Sequence, residues 1–324
     1  NRIYDIQHIV IGQDALPSRA RRKVDIDDII YSTVRPNQKH YAIIKNKLPN
    51  MLVSTGFAVI TVDKKVADSD FVYYFLTQTS IVDKLHSIAE QSVSTYPSIK
   101  PSDIENIELM LPPLDEQKQI GCLFRILGDK IAINTAINQR LEQIAKAIFK
   151  SWFMDNVTDD WFYVNLGSVT TEIRTRVKEK ELPVLSAVKT GNLVLSEDYF
   201  TKQVYSKDIS KYIVVAPNNF AYNPARINIG SIGINDFDFT GCVSPVYVVF
   251  RTEPEYHHFF RFFIKSSNFQ EEVRVRASGS VRQSLNYRDF ALIEVIYPPI
   301  DVVRRFNSLY EPIHTMQRYL EEEN

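Results

Sequence analysis

The chain has 324 residues, 44% of them hydrophobic and 12% aromatic, ample for two packed cores and far from the composition of a disordered tail. Its 38 basic and 39 acidic residues leave a net charge of −1, which excludes a protein that coats nucleic acid by charge alone. Two cysteines at unrelated positions, Cys122 and Cys242, fit a reducing interior, and no apolar run approaches the roughly 18 residues of a membrane span, so a cytoplasmic protein with no metal site is expected.

Along the chain, Arg19, Arg21, Arg22 and Lys23 form a first basic cluster, and Arg35 follows it. Residues 57–62 and 104–111 read as strands and 71–86 as a helix, giving a mixed, strand-rich first body over 1–112. Pro112-Pro113 then sets the start of a long helix within 113–154. Its positions Ile120, Phe124, Leu127, Ile131, Asn134, Ile137, Leu141, Ile144 and Ile148 recur in steps of three and four, the period of a coiled-coil seam. Gly121 and Gly128 sit inside it at some cost to helix stability. About 38 residues at 1.5 Å each make a rod of roughly 55 Å, which would expose its seam unless something covers it.

The second body, 155–297, carries Arg174, Arg176, Lys178 and Lys180, then Arg226, and later Arg274, Arg276 and Arg282. Residues 212–215, 246–251 and 291–297 read as strands and 257–275 as a helix. The last segment, 298–324, repeats the seam spacing at Val302, Phe306, Leu309, Ile313, Met316 and Leu320, with Pro312 as a weak point. Residues 113–154 carry net charge +2 and 298–324 carry −2, which favours the two helices pairing.

These two bodies are copies. Ser98–Pro113 (SIKPSDIENIELMLPP) matches Ser284–Pro299 (SLNYRDFALIEVIYPP) at an offset of 186, Tyr74–Ser80 matches Phe262–Asn268 at 188, Val53–Ile60 matches Val243–Phe250 at 190, and Tyr31–Arg35 matches Tyr222–Arg226 at 191. The drift is that of loops changing length around a fixed core. If the trailing helices zip together antiparallel, a direct repeat in sequence becomes an inverted pair in space. Residues 161–200 have no counterpart in the first copy, so the first body reads as incomplete at its N-terminal side and the last helix as truncated.

Catalytic patterns fail on context. Asp103 followed by Glu116-Gln117-Lys118 imitates the carboxylates of a Mg²⁺ nuclease, but the triplet opens a helix instead of lying on a strand. Tyr222-Asn223-Pro224-Ala225 lacks the second proline and aromatic of an amino-methyltransferase motif, and Gly230-Ser231-Ile232-Gly233 lacks the lysine of a phosphate loop and reads as a turn. Recognition remains. A polar loop with Ser278, Ser280, Arg282 and Gln283 corresponds to one with Ser92, Ser94, Thr95 and Tyr96. Arg and Gln read guanine and adenine edges, and hydroxyls reach base or phosphate. One framework with different readers suits two half-sites of different sequence. The other reading of the residues is a scaffold with duplicated protein-binding modules.

Asp28-Ile-Ile-Tyr-Ser-Thr-Val-Arg35-Pro36, the two polar loops, and Leu111-Pro-Pro-Leu-Asp-Glu-Gln117 running into Ile144-Ala-Lys-Ala-Ile-Phe-Lys-Ser-Trp-Phe153 resemble the DNA-specificity subunit of type I restriction–modification systems. The resemblance implies an α+β fold of two repeated target-recognition domains joined by two long helices in an antiparallel coiled coil. Each domain would read one half of a bipartite double-stranded DNA site. The helices would set the spacing and dock methyltransferase (modification) subunits, with a translocating restriction subunit reached through the complex. Methyl-donor and ATP chemistry belong to those partners, so the resemblance implies a chain that is no enzyme alone and needs no cofactor; the alternative within it is a specificity subunit of a related restriction system with a differently organised nuclease.

Overall fold

A computed structural model describes residues 7–10, 14–91, 96–158, 161–179, 181–200, 204–277 and 284–324. They form two compact units, residues 1–138 with 320–324 and residues 139–319.

Unit 1 contains β1 (Ala20–Lys23), β2 (Ile29–Ser32), β3 (Tyr41–Ile43), β4 (Leu52–Ser54), β5 (Phe57–Ile60), α1 (Ser69–Leu76), α2 (Thr79–Glu90), α3 (Pro101–Glu105) and most of α4 (Leu114–Lys150). The β-branched strand β2 is buried along its whole length between antiparallel neighbours β3 and β5, and β1 pairs with β4 in a separate ribbon. The expected single helix over 71–86 is two helices broken at Thr77-Gln78. Asp68 caps the first, its Oδ1 accepting from Phe71 N–H at 3.0 Å.

Unit 2 contains β6 (Phe162–Asn165), α5 (Leu166–Val169), β7 (Thr170–Ile173), β8 (Leu185–Ala187), β9 (Leu193–Leu195), α6 (Ser196–Tyr199), β10 (Ile213–Val215), β11 (Phe220–Tyr222), β12 (Ile232–Ile234), β13 (Gly241–Val243), β14 (Val248–Thr252), α7 (His257–Phe263), α8 (Ser267–Ala277), α9 (Tyr287–Phe290), β15 (Glu294–Tyr297) and most of α10 (Ile300–Glu322). Its main sheet has the order β12-β11-β14-β7.

The copies agree in register. Ile29 opposes Ile43 and Ile60; Phe220 opposes Ile234 and Phe250. Arg22 opposes Val53 as Ile213 opposes Val243. The break between α7 and α8 repeats the one between α1 and α2, again against the expectation of one continuous helix over 257–275. The architecture is mixed helix and strand with two long helices, in line with the expected fold class.

One expected strand is absent. Residues 104–111 hold the end of α3, where Pro101 occupies the first turn and Asp103 Oδ2 accepts from Lys100 N–H at 2.7 Å, followed by irregular chain. The equivalent β15 is a strand because β6 pairs with it.

Within unit 2, α4 and α10 run antiparallel. Glu142 bonds Gln317, while seven residues further along α4 Phe149 meets Phe306, eleven residues earlier in α10. Within unit 1 the end of α10 lies beside α4, with Lys130 Nζ 3.2 Å from Glu323 and Asn134 donating to Asn324 at 3.1 Å.

The seam needs correction. Ile120, Phe124, Leu127, Ile131, Ile137 and Ile144 of α4, and Leu309 and Met316 of α10, are each more than a third exposed. Leu141, Ile148 and Ile313 are half-buried, and Phe306 and Leu320 are buried. The buried face of α4 instead runs through Gln117, Gly121, Asn134, Ala145 and Phe149. Small and polar residues allow the closest approach, and a hydrophobic period is blind to them.

Candidate nucleic-acid interface

In unit 1 a string of short backbone bonds assembles the basic residues at one place. Thr55 N–H donates to Arg19 O (2.8 Å), Thr33 N–H and its hydroxyl both donate to Gly56 O (2.9 Å), and Arg35 N–H donates to Pro97 O (2.9 Å). Arg35 has φ of 48°, a left-handed backbone uncommon outside glycine, and its guanidinium lies over the exposed Tyr96 ring at 5.2 Å. Arg19, Arg21 and Lys23 are exposed and Arg22 half-buried, as the alternation of β1 demands. Ser92, Ser94 and Thr95 lie outside the described residues, directly before Tyr96.

Unit 2 repeats the frame. Ile99 N–H donates to Thr33 O at 2.9 Å, and its counterpart Leu285 N–H donates to Pro224 O at 3.0 Å. Exposed Arg226 stands at the position of Arg35, on a turn that Asn223 closes by accepting from Ala225 N–H at 3.0 Å. Ser278, Ser280, Arg282 and Gln283 lie outside the described residues, just before this pin. The second basic cluster comes from another element. Arg176 bridges Ile213, and Lys178 N–H donates to Ser210 O at 3.0 Å, so the pair flanks β10, the counterpart of β1. Exposed cations thus gather beside the same strand in both units, supplied by β1 in one and by residues 174–178 in the other.

Residues 12–143 match the type I restriction modification DNA specificity domain. Over 140 residues the chain is 37% identical to the HindI specificity subunit, a type I restriction enzyme subunit of Haemophilus influenzae, covering 43% of this chain and 30% of that one. The MjaIX specificity subunit of Methanocaldococcus jannaschii is 24% identical over 351 residues, 96% of this chain and 77% of the relative. Both relatives are specificity subunits of type I restriction enzymes, and residues 12–143 carry the match to the DNA specificity domain. In fold it resembles the S subunit of the type I restriction-modification system from M. genitalium, with a TM-score of 0.63 at 12% identity, covering 94% of this chain and 80% of that one. Among the described residues no helix is long and apolar enough to cross a membrane.

Not every cation is equally available. Arg174 Nη2 is 2.7 Å from Glu172, and Arg274 and Arg276 pair with Glu271 and Glu272 of their own helix. Such exposed pairs contribute little to stability and reorganise cheaply. Arg19, Arg21, Arg35, Arg176 and Arg226 are exposed arginines on the repeated frame.

Two joints position these frames, and sequence reasoning missed both. In unit 1 the buried Gln117 carboxamide accepts from Asp68 N–H at 3.0 Å and donates to Pro112 O at 2.8 Å and Val66 O at 3.3 Å. A Cβ at Gly121 would stand 2.8 Å from Phe71 N, so only glycine lets α4 approach the start of α1. In unit 2 the joint is aromatic, and a buried charged cluster lies beside it. Asp236 accepts from Arg261 and, at 3.0 Å, from His314 Nε2. Burial alone would raise the Asp236 carboxyl, but His314 and Arg261 hold it far below the usual carboxylate range. Burial, with His257 and Arg261 nearby, pushes the His258 imidazole down to about 2, and burial lowers His257 as well. The signal for the first joint was in the Leu-Asp-Glu-Gln117 motif itself, read only as a helix start.

Proposed function

We propose that this chain is the sequence-reading subunit of a type I restriction–modification assembly, each unit presenting one recognition surface to one half of a bipartite double-stranded DNA site. The supporting observation is the repeated pin, Ile99 N–H to Thr33 O and Leu285 N–H to Pro224 O, which anchors the residues following each polar loop in sequence two positions before Arg35 in one unit and Arg226 in the other. Identical anchoring with different readers lets two half-sites differ in sequence. On this reading residues 1–112 and 155–297 are the target-recognition domains and 113–154 and 298–324 the spacer helices. Chemistry on the DNA belongs to partners. The face of α4 carrying Leu123, Ile126 and Ile133, each over half exposed, suits docking of a modification subunit. The α4 length, at 1.5 Å per residue, roughly 55 Å, would span more than one turn of DNA, about 34 Å.

The test is co-purification with a modification subunit followed by selection of bound sequences from random duplex DNA. Two specified blocks separated by a fixed gap are expected. A single continuous block, or no enrichment, overturns the proposal.

A further inference from the structure

Unit 2 contains a segment, β6-α5-β7, that has no equivalent among the described residues of unit 1. It threads three elements. β6 pairs antiparallel with β15, Phe162 opposite Tyr297 and Asn165 opposite Glu294. At the turn, Leu166 N–H donates to Ile293 O at 2.8 Å and Gly167 N–H to Ala291 O at 2.9 Å. Gly167 passes so close that a Cβ there would meet Ala291 Cβ at 2.9 Å. β7 then extends the main sheet along β14, Ile173 opposite Val249 and Thr170 opposite Thr252. Leu166, 1% exposed, is the plug of the aromatic cluster between them.

Among the described residues the matching frame in unit 1 stands open. Residues 108–111, the counterpart of β15, make no strand ladder, and Met110 is 92% exposed. β5, the counterpart of β14, is an edge strand among the described residues. Between the two lies a cavity of about 350 Å³ lined by Ile60, Val72, Phe75, Ile104, Ile107 and Leu109. Their counterparts at the repeat's offsets are Phe250, Phe260, Phe263, Phe290, Ile293 and Val295, every one under 9% exposed. In unit 1 only Ile104 is buried and the other five are half-buried. Cavity, unpaired backbone and half-buried apolar side chains thus coincide at the place where unit 2 is filled. Such a sheet edge is a template for strand addition.

We propose that unit 1 accepts a strand–turn–strand polypeptide segment of the form of residues 161–173, entering from the unit's N-terminal side as that segment enters unit 2. Its first strand pairs antiparallel with residues 108–111, its second extends the sheet along β5, and an apolar side chain at the turn fills the cavity. The inference is independent of what the unit binds on its recognition surface.

The experiment titrates the full chain with a synthetic peptide of residues 161–173 and follows hydrogen exchange at residues 58–61 and 107–111. A second arm fuses the same segment ahead of Asn1 through a flexible linker. Saturable binding is expected, with at least tenfold slower exchange at both stretches. The fusion should show the same protection in a monomer. A peptide with Leu166→Asp should give neither effect. Three outcomes overturn the proposal: no protection from peptide or fusion, equal protection from the Leu166→Asp peptide, or a chain that dimerises and protects 107–111 without any peptide, which would make a second copy the occupant.

Discussion

In unit 1 a buried carboxamide ties the body to the start of the long helix, beside the Tyr74–Phe124 ring contact. Gln117 ties together Asp68 N–H, Val66 O and Pro112 O, and Gly121 lets the backbones close in. In unit 2 the position of Gln117 is occupied by Val303, fully buried, in a cluster with Phe149, Phe153, Phe259, Phe306 and Tyr310. One group crosses over: Pro298 O, the counterpart of Pro112 O, is satisfied by Tyr256 Oη at 3.0 Å. The same carbonyl thus demands a partner in both copies and finds it on a different element each time. A directional polar tie fixes register with little buried area, whereas rings supply energy by area and tolerate repacking.

Substitutions at the two joints should separate these roles. The largest effect is expected at Phe306, fully buried with ring centroids of Phe153 and Tyr310 at 5.0 and 5.7 Å. Phe306→Ala should cost about 3–5 kcal/mol in chemical denaturation. Gln117→Val, which installs the residue of the second copy, strands a donor and two acceptors and should cost about 1–3 kcal/mol. Its signature is local: faster hydrogen exchange at the start of α1 with the unit 2 core unchanged. A uniform loss across both units would mean that Gln117 is no local tie.

Acid should act on unit 2 first. His257 and His258 are held neutral by burial, among Asp236, Arg261, Tyr310 and His314, so the unfolded chain takes up protons before the folded one does. Stability is complete above the ordinary histidine value of about 6.5 and is lost as pH falls below it, by up to about 1.4 kcal/mol per pH unit for each neutral ring. Melting between pH 7.5 and 5.5 should therefore drop, and His258→Gln should flatten the slope. An unchanged slope in that variant removes His258 from the account. The smallest effect is expected at Arg174, whose exposed guanidinium pairs with Glu172, so Arg174→Ala should leave the melting temperature unchanged.

The duplication was legible because apolar and β-branched residues on β2, β5, β11 and β14 must alternate and pair, and insertions drift only through loops. The placement of Arg35 and Arg226 followed from the same offsets. The true helix faces were not legible. Ile120, Phe124 and Leu127 carry the hydrophobic period, yet close contact goes to Gly121 and Ala145, whose lack of bulk is a packing signal without a hydropathy signal. Nor was the missing strand at 108–111, since Glu108–Leu111 has strand composition and lacks only a neighbour to pair with. The second basic cluster was found in sequence but not its alignment, because residues 174–178 reach β10 through tertiary contact.

Loop replacement tests the reading of two independent half-site readers most directly. Residues 278–283, including Arg282, are exchanged for a Gly-Ser stretch, and DNA selection is carried out with the modification subunit bound. One block of the consensus should lose its sequence preference while the other block and the gap stay as they were. Loss of both blocks together, or of neither, contradicts it.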